Sequence, residues 1–168
     1  MSTASHRRLG LLVTAALASL GLVGVSAPAH AVAGGTGHTE TATHNVHGTT
    51  SFQGVNPCTF GPLDVEAAFN IVQLVRYFPE SDEAWATSTE EESVVATDLT
   101  TGVVYTGHAT FWGNYIMNDQ ISTSTFTTSL AVTGSDGSVI TYGEVNHFTL
   151  AANGEVTVSF EKPRLTCG

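Results

Sequence analysis

Residues 134–161 read GSDGSVITYGEVNHFTLAANGEVTVSFE, and this stretch decides the fold class. Gly134-Ser135-Asp136-Gly137 is a turn signal, and Asn153-Gly154 is the strongest short hairpin signal a sequence offers. Between and after these turns the residues alternate. Ile140, Tyr142, Phe148 and Leu150 share one parity, interrupted by Glu144 and Asn146. Val156, Val158 and Phe160 form another set, with Glu155, Thr157, Ser159 and Glu161 opposite. Successive side chains of an extended chain point to opposite faces, so a period of two in β-branched and aromatic residues is strand patterning. Pro163 breaks the last run, and Leu165 and Cys167 resume on the other parity, as at a bulge or an edge strand.

Working back from this hairpin, the same grammar repeats. The Gly134–Gly137 turn separates Ile121–Val132 from Ser138–Leu150, and Thr100-Thr101-Gly102 separates Ser93–Leu99 from Val103–Phe111. Val65–Phe78 fits both periods. Val65, Ala68, Phe69, Val72 and Val75 would make a helical stripe, whereas Val65, Ala67, Phe69, Ile71, Val75 and Tyr77 make a strand face broken at Gln73. Its β-branched content and its surroundings favour a strand. Acidic Pro79–Glu83 and Glu90–Glu92 read as exposed loops or strand ends. The sum is an all-β chain of about seven to eight antiparallel strands, an up-and-down β-barrel or a sandwich.

Upstream the composition changes. Arg7 and Arg8, an apolar run from Leu11 to Val25, and Ala29-His30-Ala31 make residues 1–31 a signal peptide, too short and Gly-interrupted for a span. Residues 32–48, rich in Gly, Thr and His with almost no large apolar side chain, read as a flexible leader. Residues 49–168 are then a single β domain. The chain carries a formal net charge of −10. Beyond residue 31 only Arg76, Lys162 and Arg164 stand against all 15 acids, a net −12. Such a chain is a poor partner for nucleic acid or anionic membranes, whose binding rests on Lys and Arg. Export makes Cys58 and Cys167, the only two cysteines, a disulfide in an oxidising extracellular compartment.

Several segments together carry a resemblance: Asn56-Pro57-Cys58, then Thr100-Thr101-Gly102 with Tyr105, then Ala152-Asn153-Gly154-Glu155-Val156-Thr157-Val158, and finally Leu165 with Cys167. From about Asn56 to Cys167 the chain resembles an uncharacterised family of small secreted bacterial β proteins, in which an NPC-type motif opens the domain and an ANGEVTV hairpin precedes a terminal Cys. The resemblance implies secretion, a β fold and a Cys58–Cys167 bridge, and it implies no reaction. Just after Cys58 the chain departs from the family, with Thr59-Phe60-Gly61-Pro62-Leu63-Asp64 where a short Gly-Glu step is expected.

No catalytic constellation emerges. A nucleophile elbow, a P-loop, a dinucleotide fingerprint and a calcium loop are all missing from the sequence, and no cofactor is expected. Asp64 and Glu66 fall on one strand face about 7 Å apart, a spacing open to glycoside chemistry but usual for an outward polar face. His38, His44 and His47 are the metal candidates, although on a strand His44 and His47 point to opposite sides. Trp85, Tyr105, His108, Trp112 and Glu144 are the candidate lining of a ligand pocket. The first functional expectation is a secreted, non-catalytic β-barrel that binds a small molecule or an extracellular partner. The alternatives are a barrel-type cyclase/isomerase or hydrolase using Asp64, Glu66 or His108, and a structural or cell-surface protein without a ligand.

Overall fold

The computed structural model describes residues 39–168. Residues 1–31, read above as a signal peptide, together with His38 and the first part of the expected leader, lie outside the described residues. Seven strands follow one another: β1 (Glu40–Val55), β2 (Pro62–Phe78), β3 (Glu83–Asp98), β4 (Val104–Met117), β5 (Ile121–Gly134), β6 (Val139–Ala151) and β7 (Val156–Cys167). They form one antiparallel sheet in which every strand pairs with its sequence neighbours. β1 and β7 are edge strands and are not hydrogen-bonded to each other, so the sheet is an open meander. The all-β, antiparallel architecture matches the sequence reading. Each expected turn falls between strands, and Gly154 takes the left-handed φ of 80° that its hairpin needs.

Two expectations are corrected. Residues 40–48 are not a free leader. They extend β1, pairing Glu40 with Tyr77 through to Gly48 with Phe69, although nearly every side chain there is exposed. Backbone hydrogen bonds to β2 order this segment without apolar burial of its own. The second correction concerns Glu90-Glu91-Glu92, which lies mid-strand in β3 rather than in a loop, with Glu90 and Glu92 buried.

One face of the sheet is apolar. Leu63, Val65 and Ala67 of β2, Val94 and Ala96 of β3, Tyr105 and Ala109 of β4, Val132 of β5 and Ile140 of β6 form its core, with Phe52 and Leu165 packed against it. The sheet curls enough for Phe52 of β1 and Tyr142 of β6 to line one cavity, making this the concave face. At Gly107 a Cβ would meet the Ala131 carbonyl oxygen at 2.0 Å, so only glycine lets β4 approach β5 so closely.

β7 shows why parity reading needs the register. Its pairing with β6 shifts between Thr149 and Leu150, away from Pro163, which stays opposite Glu144. Ser159, Glu161 and Leu165 therefore share the concave face with Asn146 and Tyr142, while Val158 and Phe160 lie on the other side.

The chain is tied at one end. Cys58, in the β1–β2 connection, is bridged to Cys167 at the end of β7, with Cα atoms 5.9 Å apart. Such a bond is consistent with an extracellular location. Beside it, Asn56 and Asp98 are fully buried. Asn56 Nδ2 donates to Asp98 Oδ2 at 3.1 Å, and Asn56 Oδ1 accepts from the Cys58 and Thr59 amides at 2.9 and 3.2 Å. Asp98 Oδ1 accepts from the Thr100 and Thr101 amides at 2.9 and 3.0 Å. Those amide bonds, led by Thr101, hold the Asp98 carboxyl below its usual range.

Candidate functional site on the concave face

Further along the concave face, away from the disulfide, the lining turns polar. The parity that buries Val94 and Ala96 carries back along β3 to Glu92 and Glu90, which are 8% and 3% exposed, while Glu91 faces out. Their neighbours across the sheet are apolar: Glu90 pairs with Ile71 and Phe111, Glu92 with Phe69 and Ala109.

The two carboxyls, two positions apart on one face, perturb each other. Glu90 is pushed up to about 7, first by burial, then by the charge of Glu92 and the hydrogen bond between the two side chains. Burial also raises Glu92, and the bond from Glu90 opposes that rise. Even so, Glu90 Oε1 is buried with no hydrogen-bond partner. Ser122 Oγ and Ser124 Oγ, on the same face of β5, are in the same condition.

Glu144 on β6 is different. It is buried, yet it accepts from the Tyr142 hydroxyl at one oxygen and from Asn146 Nδ2 at 2.6 Å at the other. Tyr142 is raised well above an ordinary phenol by burial, by this bond and by the charges of Glu144 and Glu161.

Two adjoining cavities open onto Glu90, Glu92 and Tyr142, and Glu144 lines neither. One, about 130 Å³, is lined by core residues together with Glu92, Thr128 and Tyr142. The other, about 330 Å³, is lined by Glu90, Phe111, Trp112, Phe126, Phe148 and Asn146 among others. Phe111 and Thr128 belong to both walls. The Phe126 and Phe148 rings stack with centroids 6.2 Å apart.

The residues singled out in the sequence are divided by this geometry. Tyr105 and Glu144 are buried on the concave face, and Trp112 borders the larger cavity while remaining 44% exposed. Trp85 and His108 stand exposed on the opposite face and line neither cavity. Asp64 and Glu66 also stand exposed on that face. His44 pairs with Gln73 and His47 with Asn70, so the two rings belong to opposite sides. Among the described residues no group of three His, Cys, Asp or Glu is placed to hold a metal ion.

Sequence reasoning missed Glu90 and Glu92. The signal was present: projecting the Val94/Ala96 parity back by two and four residues reaches both acids. The chain matches no family model, no curated protein and no solved structure.

Proposed function

We propose that this is a secreted, non-catalytic protein that holds a small molecule in the cavities of its concave face. The observation carrying this reading is that the face is not packed solid. A space of about 330 Å³ remains beside the core, bordered by aromatic rings and a few polar groups. That is the low end of ligand-pocket size and the usual pocket chemistry. Export is supported by the Arg7-Arg8 start, the apolar run and Ala29-His30-Ala31, by the family resemblance, and by the disulfide.

Ligand-observed NMR with neutral aromatic fragments tests the reading. Thr128→Phe, at the wall common to both cavities, provides the control. Fragments are expected to contact the wild type and to lose that contact in a folded Thr128→Phe protein. If no fragment touches the wild type, the reading is wrong. Recovery from the culture medium with an intact mass beginning after Ala31 is the expected result for export, and retention in cells contradicts it.

An acid–base enzyme, a cyclase/isomerase or hydrolase, is the second reading, favoured by the Glu90–Glu92 pair. Two neighbouring buried carboxyls, one of them raised to about 7, offer a proton donor and an acceptor close together. Asp64, Glu66 and His108 have no part in that version, because they face away from both cavities.

A further inference from the structure

Every Lys and Arg of the described residues is exposed at a position of outward parity and lines neither cavity, although Lys162 Nζ lies 5.9 Å from the centroid of Phe160, a ring at the rim of the larger one. Arg76 pairs with Trp85, Lys162 with Val145 and Arg164 with Gly143, all at positions of outward parity. The concave face therefore gathers Glu90, Glu92, Glu144 and Glu161 with no Lys or Arg to balance them. Glu144 has two donors of its own. Glu90 does not: it is 3% exposed, it borders the larger cavity, and its Oε1 has no partner. A buried carboxyl oxygen left unpaired costs far more than one that is paired, so a ligand supplying both a positive charge and an N–H answers both deficits.

Building on the binding reading above, we infer that the cavity takes a protonated amine carried on an aromatic or compact apolar body, with its ammonium against Glu90. Phe111, Trp112, Phe126 and Phe148 fit the second half of that description. Aromatic faces attract cations as well as apolar groups, so the same rings serve the head and the body of the ligand. A divalent metal fits poorly, because calcium and magnesium need about six or more oxygen ligands and this cavity offers isolated carboxyls among rings.

When Glu90 is protonated, its proton occupies the place of the positive charge. An ammonium must displace it, so proton and ligand compete. Besides the acids, His147 of β6 also borders the larger cavity, its Nδ1 2.8 Å from Thr125 Oγ1, so the Glu90→Gln variant, which keeps His147, separates the two groups. From β2 and β4 the partners are Ile71 and Phe111, neither titratable. On the concave face of the other strands stand Glu144 and Tyr142 on β6, Glu161 on β7, and exposed His44 on β1 opposite Gln73. Above a pH of about 7 Glu90 is ionised and ready for the ammonium, whereas below it the carboxyl is neutral.

Isothermal titration with three matched probes tests the inference: 2-phenylethylamine, its neutral counterpart 2-phenylethanol, and 3-phenylpropionate. At pH 7.5 the amine is expected to bind at least about tenfold more tightly than the alcohol, with the acid weakest. Glu90→Gln is expected to weaken the amine by about tenfold to a hundredfold, the worth of one buried charge-assisted bond, and to leave the alcohol nearly unchanged. On the wild type alone, amine affinity is expected to fall as pH drops from 8 to 6 while alcohol affinity stays flat. Equal binding of amine and alcohol, or a pH-independent amine, overturns the inference and leaves the cavity reading standing. If none of the three probes binds, both fall.

Discussion

Asp98 and Glu90 lie on the same strand and the same face, and both are almost wholly removed from solvent. Their surroundings differ in kind. Around Asp98 both carboxylate oxygens are occupied, by two backbone amides, the Asn56 side chain and the Thr59 hydroxyl. These partners stabilise the charged form, and its pKa falls. Around Glu90 there is a second acid, apolar neighbours and one oxygen with nothing to bond, and its pKa rises. A buried carboxylate that is fully partnered holds a fold together. One that is left short is a cost the fold carries, and such costs gather at sites that await something.

Three measurements would break or sharpen that contrast. The largest effect belongs at the disulfide end. Replacing both cysteines with serine frees a loop of 109 positions. A loss of about 2–5 kcal/mol is expected on urea unfolding, against about 4–5 kcal/mol in the chain-entropy account. An unchanged midpoint would mean that the Asn56–Asp98 network alone secures that end. Next, Asp98→Ala strands two turn amides and the Asn56 side chain, so a loss of about 2–4 kcal/mol is expected. Glu90→Gln measured alongside at pH 8 is expected to cost nothing or to stabilise. Equal losses in the two variants would erase the distinction drawn here.

The smallest effect is a slope. Glu90 has a folded pKa raised to about 7 from an ordinary 4.5, so the native state binds more protons than the unfolded chain between those values. Stability is therefore expected to fall by about 1–3 kcal/mol as pH rises from 5 to 8, and Glu90→Gln is expected to flatten most of that slope. Asp98 acts in the opposite sense and elsewhere. Its lowered pKa adds stability that is present above about pH 4 and is lost only as pH falls below it. A wild-type profile flat from pH 5 to 8 would contradict the raised pKa of Glu90.

Much of the architecture was legible because its signals are local. Asn153-Gly154, Thr100-Thr101-Gly102 and the Gly134–Gly137 turn mark hairpins on their own, and a meander needs little more than its turns in order. What escaped depends on partners distant in sequence. Nothing near Asn56 announces that it will meet Asp98, 42 positions on, so an Asn-Pro-Cys motif reads as a mere opening. β1 before Gly48 has no apolar alternation, since its order comes from hydrogen bonds to β2. Three consecutive glutamates look solvated because charge usually wins over parity, and here parity won for two of them. Of the pocket candidates, Tyr105 and Glu144 kept the inward parity of their strands, while His108, with a small or flexible neighbour on each side, followed the outward one.

The position of the bridge also governs how the molecule carries load. Tension applied between a point ahead of β1 and Gly168 enters the chain at Cys58 and leaves at Cys167 through the sulfur atoms. Strands β2 to β7 sit outside that route, and roughly 360 Å of chain contour stays out of reach of the pull. Only β1 can be peeled away, unzipping from β2 and taking the Phe52 wall of the smaller cavity with it, while the larger cavity, which no β1 residue lines, stays behind the clasp. The covalent tie makes the molecule a nearly inextensible clasp with a single loose ribbon.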